Sequence, residues 1–196
     1  MQSYPDTCPC QINLTAETAN APLSYQNCCQ PYHDAFYNGA FYNDEVDKAG
    51  GIKAETAERL MRTRYSAFAL VKPEYIVKTT VPAQQALLDV VAIESWAKET
   101  DWAGLEIVEH TPKLGKRHAQ VEFKAYFRSP EKTTGGLAVK VQAHHELSTF
   151  IKVKDKANQD ARWYFLDPTV AMTVSQKQPC ICGSGEKFKR CCGGYL

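Results

Sequence analysis

Between residues 54 and 70, Ala57, Leu60, Met61, Tyr65 and Phe68 recur at i, i+3 and i+4, with Arg64 beside the stripe. That spacing predicts an amphipathic helix with one buried face. Pro73 ends it and predicts a short second helix through Thr79. A third helix is predicted from Ala83 to about Glu99, with Ala86, Val90, Ile93 and Ala97 along one face. The period then changes. Val121, Phe123, Ala125 and Phe127 alternate with Glu122, Lys124, Tyr126 and Arg128, the pattern of a half-buried strand. Leu137 to Lys152 alternates for longer: Val139, Val141, Ala143, His145, Leu147 and Ile151 fall on the apolar face, Lys140, Gln142, His144, Glu146 and Ser148 on the polar one. Leu105–Glu109 and Arg162–Leu166 supply two more strands. The links contain Pro112 with Gly115, Pro130 with Gly135-Gly136, and Asp155–Asp160, all too short for crossover helices. An antiparallel meander follows. Helices first and strands after give an α+β domain, with helices packed on one sheet face.

The ends read differently. Residues 1–52 are loop-rich, broken by Pro5, Pro9, Pro22 and Pro31, with turns at Asn38-Gly39 and Gly50-Gly51. Their aromatic stretch Ala35–Tyr42 needs a surface to pack on and is expected to lie across the central domain. Three segments result: 1–52, the α+β domain at 53–174, and a small tail at 175–196.

Composition adds limits. The chain has 196 residues, 44% of them hydrophobic and 23% charged, with a net charge of +1. This is the balance of a folded soluble protein, and no global field draws it to nucleic acid or an anionic membrane. The longest apolar stretch, around Leu87–Ile93, is too short to span a bilayer, and no signal-peptide pattern opens the chain. A cytoplasmic location is the expectation. Structural disulfides are rare there, which shifts the eight cysteines towards metal binding.

Those cysteines come in tight pairs: Cys8 with Cys10 and Cys28 with Cys29 near one end, Cys180 with Cys182 and Cys191 with Cys192 at the other. Four thiolates close a tetrahedron around Zn2+ and leave no position open for water or substrate. The tail predicts one zinc ion. The N-terminal group adds a second if it is metallated, with His33 as a substitute ligand. Gly183-Ser184-Gly185 can turn the tail back on itself through positive φ. A tail this small has no core of its own, so metal binding supplies its folding energy. The electrostatic settings differ. Lys177, Lys187, Lys189 and Arg190 surround the tail cysteines against Glu186, whereas Met1 to Asp47 contains no Lys or Arg but carries Asp6, Glu17, Asp34, Asp44, Glu45 and Asp47. Weaker metal binding is expected at the N-terminal group, because fewer cations offset the negative charge of a tetrathiolate centre.

The run Cys180-Ile-Cys182-Gly-Ser-Gly-Glu-Lys-Phe-Lys-Arg-Cys191-Cys192-Gly193 resembles the SEC-C motif, the zinc-binding tail of the preprotein translocase ATPase SecA, with Cys192 where that tail usually has His. Leu60-Met61-Arg62-Thr63-Arg64-Tyr65-Ser66-Ala67-Phe68 resembles the signature of the YchJ family of bacterial SEC-C motif proteins. Asp101-Trp102-Ala103-Gly104-Leu105, Val108-Glu109-His110 and Trp163-Tyr164-Phe165-Leu166-Asp167 fit the same family. The resemblance implies an NTF2-like, cone-shaped middle domain between small cysteine-rich zinc knuckles. It brings no activity with it. The N-terminal cysteines depart from the motif, since Gln11 and not a glycine turn follows Cys10.

Three functions remain open on this sequence. In the first, the protein is a non-enzymatic adaptor whose tail docks on a protein partner, an export chaperone or the ribosome by analogy with SecA. In the second, the cone's cavity binds a small ligand or performs catalysis, with His145, Asp167 and Tyr65 as its polar groups. In the third, Lys187, Lys189 and Arg190 bind RNA, against which the near-neutral total charge and the acidic N-terminal segment argue. A hydrogen-bonded core histidine is the plainer reading of His145, an internal ion pair that of Arg64, and core packing that of Trp96, Trp102 and Trp163.

Overall fold

The computed structural model describes residues 5–11, 22–40, 52–133, 136–154 and 161–196. Phe41 and Tyr42 of the aromatic stretch, the acidic residues Glu17, Asp44, Glu45 and Asp47, the Gly50-Gly51 turn and the Asp155–Asp160 link lie outside them.

Among the described residues, α1 spans Gln30–Ala35 and runs into a π-helical turn at Phe36–Ala40. The helix α2, Ala57–Ala69, starts where the Thr56 side chain accepts a hydrogen bond from the Arg59 N–H at 3.0 Å, a side-chain cap for an otherwise orphaned donor. Its buried residues include the predicted Ala57, Leu60, Met61, Arg64 and Tyr65, but also Thr63, Ser66 and Ala67. This helix is therefore covered on two sides. One side meets the sheet; the other meets the N-terminal segment.

Val71 follows α2 with φ 53°, a left-handed conformation that a β-branched residue rarely adopts. It turns the chain so that the Val71 and Lys72 N–H groups bond Phe68 O and Ala67 O at 3.1 and 2.8 Å. The short α3, Pro73–Lys78, then begins on its proline. The predicted third helix is two pieces, α4 at Pro82–Gln85 and α5 at Val90–Glu99. The break has a local cause: the Asp89 carboxylate accepts from the Ala92 N–H at 3.0 Å and caps a new start. Gln84 turns away from any helical stripe, and its side chain clasps the Asp167 backbone, donating to Asp167 O at 2.7 Å and accepting from Asp167 N at 3.1 Å.

Four antiparallel strands follow in sequence order: β1 Asp101–Leu114, β2 His118–Thr133, β3 Gly136–Lys154 and β4 Ala161–Leu166. This is the predicted α+β meander with helices against one sheet face. Ala119, Val121, Phe123 and Ala125 of β2 point to the helices and join Leu60, Met61, Tyr65, Leu105 and Phe150 in the main core. A bulge between Trp102 and Gly104 lets Gly104, at φ 125°, aim its N–H at the Tyr65 hydroxyl, 2.7 Å away.

On β3 the predicted faces are reversed. Phe123 pairs with Glu146, Ala125 with His144 and Val121 with Ser148, so the even-numbered residues of β3 share the helix side. Val139, Val141, His145 and Leu147 lie on the outer face, where Val139 is 71% and Leu147 57% exposed. Ile151, also outward, is fully buried because the C-terminal tail covers that end of the sheet.

Candidate metal centres and cavity

The N-terminal segment folds back in two turns that contain no glycine: Gln11 N bonds Cys8 O at 3.0 Å and Cys28 N bonds Tyr25 O at 3.1 Å. The structure brings Cys8, Cys10, Cys28 and Cys29 together, all four buried, with their sulfurs within 4.8 Å of one another. The separations are 3.5 Å for Cys8–Cys10, 3.6 Å for Cys10–Cys28, 3.8 Å for Cys28–Cys29 and 3.7 Å for Cys29–Cys10. A Zn–S bond of about 2.3 Å gives a tetrahedron edge of about 3.8 Å. A disulfide would hold two sulfurs at about 2.05 Å. The donor set therefore fits a tetrathiolate Zn2+, and none of these cysteines is paired in a disulfide.

The missing glycine turn and the missing cations are replaced through space. Gln11 accepts from Leu23 N at 2.9 Å through Oε1 and directs Nε2 towards Cys28 Sγ at 4.0 Å. Arg59 of α2 places Nη1 3.7 Å from Cys28 Sγ, and Arg62 donates to Cys10 O at 3.4 Å. Thiol hydrogen bonds from Cys10, Cys29 and Cys8, with Arg59 behind them, push the Cys28 thiol strongly down, towards the metal-binding thiolate. The expectation of an uncompensated N-terminal centre is thus corrected: its cations come from α2, more than 30 residues downstream.

His33 is not near enough to serve as a ligand. It is fully buried, with Nε2 3.0 Å from Thr63 O and Nδ1 2.7 Å from the Tyr25 hydroxyl. A carbonyl only accepts, so Nε2 carries the proton and Nδ1 accepts from tyrosine. Burial pushes this imidazole down to about 4. His33 ties the N-terminal segment to α2 as a neutral group.

The tail forms a miniature hairpin. Cys180 N bonds Glu186 O and Phe188 N bonds Gln178 O, both at 2.8 Å. Gly183 and Gly185 take φ 74° and 77° at its turn, a left-handed conformation that favours glycine. Short 3-10 turns at Phe188–Arg190 and Cys192–Gly194 then bring Cys191 and Cys192 to Cys180 and Cys182, again within 4.8 Å and all buried. Cys182 and Cys191 are 3.6 Å apart. The Cys192 N–H points at Cys180 Sγ at 3.4 Å, and the Ser184 hydroxyl at Cys191 Sγ at 3.6 Å. A hydrogen bond from Cys192 holds the Cys182 thiol down to about 4, whereas burial pushes Cys191 up to about 12.

The tail is seated, not free. Cys182, Phe188, Cys191 and Cys192 pack on Val81, Ile151 and Leu166. His118, at the start of β2, places Nε2 3.7 Å from Cys192 Sγ and its ring 4.6 Å from that of Tyr195. An imidazole against a metal-binding sulfur is the kind of outer contact that orients a ligand. Nothing in the sequence pattern around His118 marks this role. Phe188 is buried and Tyr195 half-buried, whereas the neighbouring charged residues Glu186, Lys187, Lys189 and Arg190 are exposed.

Between the helices and the sheet lies a cavity of about 450 Å³. Tyr65 and Asp167 line it; His145 does not. His145 sits on the outer face and bonds Glu122 at 2.6 Å, so the expected trio is not assembled. His144, one residue earlier, takes the inward place, with Nε2 3.0 Å from Glu146. Tyr65 is committed to structure, accepting from Gly104 N and donating to Tyr126 O at 3.1 Å.

An NTF2-like domain carrying a tetracysteine module at each end defines a class of small zinc-binding proteins with a SEC-C tail. Residues 3–37 match the family model "YchJ family protein, N-terminal zinc binding domain", residues 56–168 the model "YchJ, middle NTF2-like domain", and residues 177–194 the SEC-C motif. The chain belongs to the YchJ, or UPF0225, family. It is 41% identical to a UPF0225 protein of Actinobacillus succinogenes, over 96% of this chain and 97% of that one. It is 43% identical to one of Haemophilus influenzae, over 97% and 94%. The crystal structure of a SEC-C motif containing protein from Psychrobacter arcticus is 69% identical, covers 97% of each chain and superposes with a TM-score of 0.82. A solution structure of a SEC-C motif containing protein from Rhodopseudomonas palustris is 31% identical over 76% of this chain and 92% of that one, with a TM-score of 0.51. No helix among the described residues is long and apolar enough to cross a membrane.

Proposed function

We propose that this protein is a non-enzymatic adaptor in which Cys180, Cys182, Cys191 and Cys192 hold one Zn2+ and Cys8, Cys10, Cys28 and Cys29 another. The metal centres fold the two end segments onto the central domain. The tail then offers Lys187, Lys189 and Arg190 to an acidic surface on a protein partner, an export chaperone or the ribosome. One observation carries this reading: the three cations are exposed and form no ion pair among the described residues, while the thiols beside them are buried and mutually engaged. Exposed like charges with no internal partner raise on-rates for a surface of opposite sign.

The test is a charge swap, because deleting the tail would uncover Ile151 and Leu166 and create a sticky apolar face. Lys187→Glu, Lys189→Glu and Arg190→Glu together should retain bound zinc yet lose salt-sensitive partners in affinity capture. Partner lists unchanged by the swap would contradict the proposal, and so would partners that are all RNA.

A second reading is favoured by the cavity, whose walls are mostly apolar and whose floor carries Arg64, Glu146 and Asp167. A cleft of that size and lining suits a small ligand.

A further inference from the structure

Arg64 is the cavity residue whose bonding is most incomplete. Its side chain is buried, 5% exposed, and lines the cavity. Every hydrogen bond it makes among the described residues runs through Nη1, to Ile76 O and Thr79 Oγ1 at 2.7 Å and to Thr80 Oγ1 at 3.2 Å. The Phe165 ring lies under the guanidinium, 4.5 Å from its carbon. Nε and Nη2 have no partner there. Yet neither is among the described buried polar atoms that lack one, which are Gln30 Oε1 and His110 Nε2. That edge of the guanidinium is therefore open to the cavity. Burial lowers Arg64 to about 10, so it stays cationic at neutral pH. No carboxylate forms an ion pair with it among the described residues, although Asp167 is close enough to favour its charge. A buried, unpaired guanidinium is costly, and its planar fork matches a carboxylate.

Both neighbouring acids already accept hydrogen bonds from other groups. Glu146 accepts from His144 Nε2 at 3.0 Å through one oxygen and from the Ser148 hydroxyl through the other. Asp167 Oδ1 accepts from Thr169 N at 2.9 Å and from its hydroxyl at 2.6 Å. They leave Arg64 as the donor with unused capacity. Their charges also disfavour a polyanion such as a phosphate ester. The walls above are Phe68, Trp96, Trp102 and Phe123, with Trp96 in edge contact with both Phe68 and Trp102 at 4.9 and 5.0 Å.

We propose that the cavity binds a monocarboxylate with an apolar or aromatic body, its carboxylate on the Nε–Nη2 edge of Arg64 and its body against Phe68, Trp96, Trp102 and Phe123. This rests on the cavity's being a ligand site. The experiment compares three probes with one carbon skeleton: 3-phenylpropionate, 3-phenylpropanol and 3-phenylpropylammonium. Each is titrated into the full zinc-loaded chain, followed by tryptophan emission and calorimetry. The carboxylate should bind at least about tenfold more tightly than the other two, as a desolvated charge-assisted pair does over its neutral counterpart. Arg64→Met should erase that preference and leave the alcohol's affinity. Ala125→Leu, which narrows the cavity while keeping the Arg64 side chain, should weaken all three and serves as the second variant if Arg64→Met does not fold. Equal binding of the three, or tighter binding of the ammonium, overturns the carboxylate assignment but not the ligand site. Binding by none of them overturns both.

Discussion

Replacing Arg59 with Gln removes the cation nearest the N-terminal sulfurs while keeping a helix-compatible side chain. Arg59 Nη1 lies 3.7 Å from Cys28 Sγ, and its side chain is 28% exposed. At that distance a unit charge pair is worth roughly 1 kcal/mol at the dielectric of water and roughly 4–5 kcal/mol at an effective value near 20. A partly exposed, hydrogen-bonded contact falls between these limits. Loss of an outer contact of this kind weakens metal binding by about 10- to 100-fold, or about 1.4–2.7 kcal/mol, which lies inside the range. Graded chelation with a colorimetric zinc acceptor reads the effect. Arg59→Gln should release the N-terminal zinc at about 10- to 100-fold lower chelator strength and leave the tail zinc unchanged as an internal control. Arg59→Lys keeps the charge and should lose less. Release of the N-terminal zinc at the wild-type chelator concentration would refute the claim that α2 supplies the compensating charge.

Gly193→Ala should destabilise the seated tail by about 1–3 kcal/mol, since an added Cβ would stand 2.8 Å from Phe188 Cδ1 and 2.9 Å from Phe188 O; hydrogen exchange in the tail would register it. His33 is held near 4 by burial against an ordinary value of 6.5, so the unfolded chain binds the proton more readily. Its stabilising contribution is complete above pH 6.5 and is lost as pH falls towards 4, by up to about 3 kcal/mol. Urea midpoints of wild type and His33→Gln should therefore differ more at pH 7 than at pH 4, and a constant difference would count against a neutral buried imidazole. Val71→Asn should raise stability by about 1 kcal/mol in thermal melts, because asparagine tolerates the left-handed conformation at φ 53° better than valine.

The meander and α2 were legible because their periodicities are long and their links short. The face of β3 was not. Alternation locates an apolar stripe, and the usual inference puts that stripe inside. Here the inner face borders a cavity with a polar floor, so His144, Glu146 and Ser148 point in and Val139, Val141 and Leu147 point out. The reversal carried His145 to the wrong side. Helix α5 started later than its apolar spacing suggested, because Asp89 caps it. The paired cysteines announced their chemistry at once. Their settings could not be read from linear neighbours, since Arg59 and His118 reach the two centres from distant elements. The sequence marks Tyr65 as a polar group of the cavity, yet its hydroxyl is fixed between two strands by Gly104 and Tyr126. That contact depends on a bulge that no local pattern records.

In the proposed function both cysteine clusters hold zinc, and neither is a reservoir of free or oxidised thiols. Native mass spectrometry of the full chain, purified without chelator or added metal, tests it directly. The expected mass is that of the chain plus two zinc ions, one for each cluster of four sulfurs, falling to the fully reduced chain mass on acidification. A single zinc ion, or a mass lowered by the hydrogens lost to disulfides, would contradict it.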